Sequence, residues 1–199
     1  MARVTCPTMD PRLELVQLLA ERSVRFGEFT LSSGKRSDYY VDARLTTMSP
    51  EGLRAVGTAG LRVLQERGWE ADSTGGLTMG ADPVAYAIAY ASALEGERMV
   101  RAFSVRKDVK AHGTRRRIEG PFRDGDRVVI VEDVITTGAS ALTAAAAAEH
   151  EAAHVIGVLA VLDREEGGRQ AIEARGYPVV ALATAREVIA LARQGHSAD

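Results

Sequence analysis

The sequence has little cysteine and no long hydrophobic run, and both absences narrow its class. Among 199 residues, Cys6 is the only cysteine, so neither an internal disulfide nor a thiolate metal cluster within the chain can form. This usage is typical of a reducing compartment and predicts a cytoplasmic protein. No stretch approaches the ~20 apolar residues of a membrane span, and the N-terminus lacks the basic-then-apolar pattern of a signal peptide. We therefore expect no membrane insertion and no secretion.

A strong net charge is also missing. The formal charge of −2 argues against a general nucleic-acid or membrane-surface binder, which would usually be strongly basic. Hydrophobic residues make up 46% and charged residues 26%, proportions that allow a full core and exclude disorder as the main state. The length fits one domain over 1–199, with an N-terminal helix and hood segment over about 10–48 and a core over about 49–195.

Helix boundaries are well marked in the sequence. An N-capping residue followed by proline predicts helix starts at Asp10-Pro11, Ser49-Pro50 and Asp82-Pro83. Thr184 with Glu187 three residues later matches a capping box for a further helix. The predicted helix ends are Gly68, Gly96 and Gly195.

Short apolar runs rich in β-branched residues lie between the predicted helices. They are Met99–Val105, Val128–Val131, His154–Leu162 and Pro178–Leu182. Runs that are apolar on both faces and alternate with helices predict an α/β fold with a central, mostly parallel sheet flanked by helices. Phe29–Asp42 has a turn between aromatic, β-prone flanks and predicts a small hairpin, or hood, that caps the sheet. The alanine run Ala144–Ala148 predicts a closely packed helix.

The most informative segment runs from Arg127 to Ser140. A buried strand is expected to end at Glu132 and Asp133, followed by a hydroxyl-rich loop and the start of a helix. Ligands of open α/β sheets collect at the carboxyl ends of strands, and a helix start there offers unpaired N–H groups and a positive dipole end. Gly138 allows the backbone to approach an anion closely. The hydroxyl donors are Thr136, Thr137 and Ser140. This pattern predicts a phosphate site.

The two acids need a partner other than the phosphate, which they would repel. Ribose hydroxyls, or water on a Mg²⁺ ion, would accept that role. The motifs G-x-G-x-x-G and G-x-x-x-x-G-K-[ST] of dinucleotide-binding folds and nucleotide triphosphatases do not occur. A turn with a capping threonine and solvated acids is the structural alternative, which the length of the whole pattern disfavours.

A second cluster is basic. The segment Arg101–Ile118 holds seven basic residues against one acid, Asp108. No apolar periodicity follows its initial strand, so a long loop is predicted. Charge-assisted hydrogen bonds would allow part of this loop to gather on a pyrophosphate. That part comprises Arg106, Lys107, Lys110 and His112. For Arg115–Arg117 a solvated basic surface is the preferred interpretation.

The segment Arg127–Ser140 resembles the signature of the type I phosphoribosyltransferases, which bind 5-phosphoribosyl 1-diphosphate (PRPP). The resemblance implies that Glu132 and Asp133 hold the ribose 2′ and 3′ hydroxyls and that the loop holds the 5′-phosphate. The residues implied to contact PRPP here are Glu132, Asp133, Val134, Ile135, Thr136, Thr137, Gly138, Ala139 and Ser140.

The pattern R-K-x-x-K-x-H-G from Arg106 to Gly113 is similar to the mobile catalytic loop of the orotate phosphoribosyltransferases, which closes over the pyrophosphate. It adds PRPP contacts at Arg106, Lys107, Lys110 and His112. The catalytic residues implied are Lys110, His112 and Asp133. Further matches are the hood segment Phe29–Tyr40, a substrate-approaching loop at Gly75–Ala81 and the strand end Leu162–Arg164. They imply orotate contacts at Thr136, Arg164, Tyr39 and Tyr40.

The chain departs from this family at two positions. Some members carry substrate-binding lysines where this chain has Ser32 and Gly80. Those two contacts are not carried over.

The resemblance implies transfer of the phosphoribosyl group from PRPP to orotate, giving orotidine 5′-monophosphate and pyrophosphate in pyrimidine synthesis. It also implies Mg²⁺, bound mainly through substrate and water near Glu132 and Asp133 rather than by a direct protein ligand, and a homodimer with shared active sites. The alternatives are a phosphoribosyltransferase for a purine or another base, a non-catalytic regulator that senses PRPP, and a bare sugar-phosphate binding module.

If the basic loop closes over the pyrophosphate, Lys110→Ala should lower turnover by about tenfold or more while leaving the fold intact. Steady-state kinetics and circular dichroism of the variant measure the two effects. Turnover equal to that of the parent would contradict the assignment of the loop.

Overall fold

A computed structural model of the protein describes residues 9–30, 36–95, 98–107 and 117–196. The strands are β1 (Val24–Thr30), β2 (Arg36–Val41), β3 (Ser73–Leu77), β4 (Arg101–Val105), β5 (Ile118–Glu119), β6 (Arg127–Ile135), β7 (His154–Asp163) and β8 (Val179–Thr184). The helices are α1 (Pro11–Arg22), α2 (Arg44–Thr47), α3 (Pro50–Glu66), α4 (Ala81–Glu95), α5 (Ala139–His150), α6 (Gly168–Glu173) and α7 (Ala185–His196).

The central sheet has six strands in the order β5-β4-β3-β6-β7-β8. All neighbours pair in parallel except the two-residue strand β5, which is antiparallel to β4. Alternate residues of β6 enter two different cores: Val129 and Val131 pack with α1, α3, α4 and α7, whereas Val128 and Ile130 pack with α5 and α6. The predicted α/β fold, with helices on both faces of a mostly parallel sheet, is confirmed.

Two of the predicted helix starts are confirmed. Asp10 accepts hydrogen bonds from the backbone N–H groups of Arg12 and Leu13, and Ser49 Oγ accepts one from Gly52. Proline follows each capping residue, as the first helical position favours.

The end of α3 near Gly68, which has a φ of 62°, and the start of α7 directly after Thr184 are also confirmed, whereas the start of α4 and the end of α7 need correction. Helix α4 begins at Ala81, so Asp82 lies inside its first turn, and its carboxylate accepts a hydrogen bond from Ser104 Oγ at 2.7 Å. Only half of the capping box forms, since Thr184 Oγ1 accepts from Glu187 N at 3.3 Å while the Glu187 carboxylate pairs with Arg12. Helix α7 continues through Gly195 to His196, and Gly96 lies outside the described residues.

One strand prediction was wrong in extent, and one strand was not predicted. Strand β6 continues through Glu132 and Asp133 to Ile135, because its pairing with β7 extends to Ile135–Asp163. Strand β3 was not predicted, since two glycines interrupt any apolar pattern. A Cβ atom added at Gly75 would lie 2.3 Å from the carbonyl oxygen of Phe103, so this strand requires glycine for its close neighbours. The loop predicted at Gly75–Ala81 therefore begins only after Leu77.

The predicted hood is an antiparallel hairpin of β1 and β2, paired from Val24–Val41 to Thr30–Arg36. Residues 31–35 at its tip lie outside the described residues. Val24, Phe26 and Tyr39 of the hairpin pack against the main core, and Arg193 of α7 adds an exposed ion pair of 2.8 Å with Asp38. The end of β2 lies beside the carboxyl ends of the central strands.

The close contact of α3 with α4 generates a stability prediction. A Cβ atom at Gly57 would lie 2.5 Å from the carbonyl oxygen of Ala87, whereas one at Gly195 would meet nothing within 4 Å. Gly57→Ala should lower the free energy of unfolding by roughly 1 to 2 kcal/mol, because overpacking outweighs the gain in helix propensity. Urea unfolding measures this free energy, and Gly195→Ala is the control, which should lose no stability. Equal stability of the two variants would contradict the packing.

Candidate active site

A cavity of about 400 Å³ opens at the carboxyl ends of β3, β6 and β7, next to the end of β2. It is lined by residues from five segments that are far apart in the sequence. They are Tyr40, Val41, Asp42, Ala43 and Arg44; Leu77, Thr78, Met79 and Gly80; Lys107; Glu132, Asp133, Val134, Thr136 and Ser140; and Arg164. The position agrees with the rule that ligands of open α/β sheets collect at strand ends.

The turn between β6 and α5 is shaped to receive an anion. Gly138 has a φ of 80° and is the N-cap residue of α5, where no side chain caps the helix. Thr137 Oγ1 lies 3.4 Å from Ala139 N, at the long limit of a hydrogen bond. The amides at the start of α5 are therefore open to a phosphate group.

Helix α6 supports this turn from behind. A Cβ atom added at Gly168 would lie 2.3 Å from the carbonyl oxygen of Thr136 and 2.8 Å from Gly138 N. The Arg164 N–H donates to the carbonyl oxygen of Ile135 at 3.0 Å, which pins the following segment to the end of β6. The sequence analysis did not detect α6, because six residues are too few for a periodic signal.

Glu132 and Asp133 form an acid pair inside the last part of β6. Glu132 is 7% exposed, and its Oε2 atom has no hydrogen-bond partner among the described residues. Burial, and secondly the charge of Asp133, raises the pKa of Glu132 to about 8. Burial also raises the pKa of Asp133, although its Oδ1 atom accepts a hydrogen bond of 2.9 Å from Val134 N. The pair is short of donors, which ribose hydroxyls can supply.

Arg164 lies in the part of the cavity that is predicted to contact orotate. Its side chain is 9% exposed, Nη2 lies 2.8 Å from Glu166 Oε1, and Cζ lies 6.0 Å from the centre of the Tyr39 ring. Its buried Nε atom has no partner among the described residues. Tyr40 and Thr136 line the cavity with Arg164, whereas Tyr39 does not and instead lies against the guanidinium. The orotate contacts of these residues stay predictions.

The predicted cationic residues differ in their position relative to the cavity. Lys107 lines the cavity, but Arg106 does not: its Nε atom lies 3.0 Å from Glu119 Oε1. Lys110, His112, Arg115 and Arg116 lie outside the described residues. Arg117 is half-buried, and its Nε atom donates to the carbonyl oxygen of Arg106 at 3.1 Å, so the solvated surface predicted for it was wrong.

The remaining residues predicted to contact PRPP lie in or beside the turn between β6 and α5. Val134, Thr136 and Ser140 line the cavity. Ile135 is buried behind it, and Thr137, Gly138 and Ala139 form the turn that begins α5. Their contacts with a ligand stay predictions.

Two charged lining residues were not among the predicted site residues. Asp42 and Arg44 follow β2, and Arg44 Nε and Nη2 each lie 2.9 Å from an oxygen of Asp42. An acid and an arginine two residues apart between the hood and α3 was the signal available. A Cβ atom at Gly80 would lie 2.4 Å from Asp133 Oδ1, so Gly80 packs directly against this acid.

In the described part of the chain, no group of three or more His, Cys, Asp or Glu side chains is arranged to hold a metal ion. Of the helices described, none has both the length and the apolar character that crossing a bilayer requires.

A mostly parallel sheet with helices on both faces, a hood, and an anion-ready turn behind two strand-end acids define the type I phosphoribosyltransferase class. No protein-family model matches the chain. It is 45% identical over 184 residues to the orotate phosphoribosyltransferase of Aquifex aeolicus, covering 91% of this chain and 99% of that protein. It is 44% identical over 189 residues to that of Mycobacterium avium, covering 94% and 98%.

Solved structures agree with these relatives. The Mycobacterium tuberculosis orotate phosphoribosyltransferase in complex with PRPP has a TM-score of 0.76 at 37% identity and covers 89% of this chain and 98% of that one. Its complex with Fe(III) dicitrate has a TM-score of 0.80 at 42% identity, over the same shares of the two chains. The chain therefore belongs to the orotate phosphoribosyltransferase family. It is an enzyme of pyrimidine synthesis that transfers the phosphoribosyl group of PRPP to orotate.

The acid pair generates a pH prediction for the ligand-free protein. Between the ordinary pKa of 4.5 and the folded value of about 8, the folded protein keeps the Glu132 proton that the unfolded chain releases. The free energy of unfolding should therefore fall as the pH rises through this window. Glu132→Gln should remove this part of the slope and stabilise the protein at pH ~8 by roughly 1 to 3 kcal/mol.

Urea unfolding of parent and variant at pH ~5, ~6.5 and ~8 measures the effect. Glu21→Gln, at an exposed position of α1, is the control and should follow the parent. Parallel pH profiles for parent and Glu132→Gln would show that Glu132 is not the group responsible.

Proposed function

We propose that the strand-end cavity is the active site in which PRPP and orotate react, within a single catalytic domain. The observation that carries this proposal is the uncapped start of α5 beside an acid pair in which Glu132 Oε2 has no hydrogen-bond partner among the described residues. A phosphate suits the first feature and a diol suits the second. PRPP carries both groups on one ribose.

The 5′-phosphate lies at the start of α5, where backbone N–H groups and the hydroxyls of Thr137 and Ser140 donate to it. Glu132 and Asp133 accept hydrogen bonds from the 2′ and 3′ hydroxyls. The left-handed backbone of Gly138 supports the first contact, and the buried, partnerless Oε2 of Glu132 supports the second.

Arg164 recognises orotate. Its guanidinium is held by Glu166 and by the face of Tyr39, so a planar fork of donors is already oriented. Such a fork matches a carboxylate or the polar edge of a planar base. Thr136 and Tyr40 complete this side of the cavity, and Tyr39 acts through Arg164.

The reaction forms a bond between orotate N1 and ribose C1 while the bond from C1 to the pyrophosphate oxygen breaks, and the electron pair leaves with pyrophosphate. The N1 proton of orotate is lost to solvent. The protein orients the two reactants and stabilises the leaving charge. Lys107, Lys110 and His112 supply cationic contacts to pyrophosphate, Arg106 supports their loop, and Asp133 holds the ribose at the reacting centre. Closure of that loop excludes water.

Magnesium fits this site through substrate rather than through a protein cage. Two adjacent acids face the cavity, and no larger ligand cluster exists in the described part of the chain. Because Mg²⁺ usually keeps several waters and binds through substrate phosphates, PRPP would carry most of its ligands near Glu132 and Asp133. When bound, Mg²⁺ neutralises charge on the pyrophosphate.

We also propose that the enzyme is a cytoplasmic homodimer. The single cysteine in the chain supports a reducing compartment. An apolar groove of about 480 Å³ between α3 and α4 supports self-association, since it exposes Tyr86, Tyr90 and Leu94. Exposed apolar surface of this kind marks interaction sites.

The test is incubation of the protein with PRPP, Mg²⁺ and one of four bases: orotate, uracil, xanthine or guanine. We expect turnover with orotate only. Arg164→Lys should raise the KM for orotate by about tenfold or more and leave the KM for PRPP near that of the parent, because lysine lacks the planar fork. The loss of orotate absorbance measures turnover.

Arg186→Lys is the matched control, because Arg186 is exposed and pairs only with Glu165 at 3.2 Å, outside the cavity. Turnover of a purine base instead of orotate would contradict the assignment of the base. Binding of PRPP without turnover of any base would instead support a regulator.

A further inference from the structure

Few cations for a pyrophosphate lie among the described residues that line the cavity. They are Arg44, Lys107 and Arg164. Arg164 is held by Glu166 on the β7 side, and Arg106 pairs with Glu119 outside the lining. A pyrophosphate carries several negative charges, so a further cation beside Lys107 would strengthen its binding.

The loop after β3 supplies no such cation, because its lining residues are the uncharged Leu77, Thr78, Met79 and Gly80. A second cation beside Lys107 has to come from another segment of the lining.

Arg44 lies in such a segment. It starts the short helix α2 directly after the hood, and its side chain lines the cavity. Arg44 lines the cavity together with Asp133 and Lys107. Because Arg164 is held by Glu166 and assigned to orotate, Arg44 is the arginine of the described lining that remains for the pyrophosphate.

The guanidinium of Arg44 is already oriented. Asp42 accepts from Nε and Nη2, each at 2.9 Å, and also from the Arg44 backbone N–H at 3.1 Å. Pairing through one edge of the fork leaves the Nη1 donors for another acceptor. The side chain is 47% exposed, so a ligand can reach it. Preorganisation of this kind lowers the entropy lost when a phosphate oxygen binds.

We propose that Arg44 is a further substrate-binding residue, which contacts the pyrophosphate group of PRPP, and that Asp42 positions it. The proposal rests on the proposed function, since it assumes that PRPP occupies this cavity. Arg44 supplies, from the segment after the hood, a positive charge that the loop after β3 does not carry in this chain. Asp42 sets the direction of the guanidinium and does not touch the substrate.

The test compares Arg44→Ala, Arg44→Lys and Asp42→Asn with the parent. Titration calorimetry with inorganic pyrophosphate alone, and then with orotate alone, measures binding directly. Steady-state kinetics give separate KM values for PRPP and orotate. We expect Arg44→Ala to weaken pyrophosphate binding and raise the KM for PRPP by about tenfold or more, with little change for orotate.

The other variants separate charge from geometry. Arg44→Lys keeps the charge but loses the fork, so its effect should be smaller than that of Arg44→Ala. Asp42→Asn should raise the KM for PRPP by several-fold with little loss of kcat. Added guanidinium ion should partly restore Arg44→Ala and have no such effect on the parent, which a purely structural role for Arg44 would not produce.

Arg12→Ala is the matched control. Arg12 is 45% exposed and pairs with Glu187, and neither residue lines the cavity, so the kinetics of this variant should equal those of the parent. If Arg44→Ala or, should that variant not fold, Arg44→Lys binds pyrophosphate and PRPP like the parent, the proposal is wrong. A selective rise in the KM for orotate would also overturn it.

The outcome distinguishes this inference from the proposed function. A parent protein that gives no product from orotate and PRPP contradicts the proposed function itself. An active parent with an unaffected Arg44→Ala variant contradicts only the role of Arg44.

Discussion

The burial of two adjacent carboxyl groups at the end of β6 is the interaction on which the rest of the site depends. Glu132 lacks a hydrogen-bond partner for one oxygen among the described residues, and burial raises the pKa of both groups. A buried acid without donors is unfavourable, and it persists only because the surrounding sheet holds it in place. Hydroxyl donors would remove this cost by hydrogen bonding to the pair. The acids that are proposed to bind the ribose therefore also lower the stability of the ligand-free protein.

The strand order places different lining segments on the two sides of this acid pair. Strands β3 and β7 lie on either side of β6, so the loop that contains Gly80 and the segment that contains Arg164 face the acids from opposite directions. The turn at the start of α5 lies beyond the same strand and is backed by Gly168 at backbone distance. Three segments thus line the cavity around the acid pair.

Sequence reasoning succeeded where the physical signal is local. The segment Arg127–Ser140 contains a strand, two acids, a hydroxyl-rich turn and a helix start in direct succession, so its role is readable without the fold. It failed where neighbours decide the structure. Strand β3 has no apolar pattern, since its glycines exist to admit Phe103 and Val131. The acids belong to β6 because β7 continues to pair beside them.

The sequence by itself determined the class of sheet, the phosphate turn and the identity of the principal acids, because strand propensity, helix capping and glycine conformations act over a few neighbouring residues. Only the tertiary structure decided that Arg106 turns to Glu119, that Tyr39 lies against Arg164 and that Arg44 joins the cavity. These relations join residues from different strands and loops. Their distances depend on the packing of the whole sheet and hood, which no local pattern encodes.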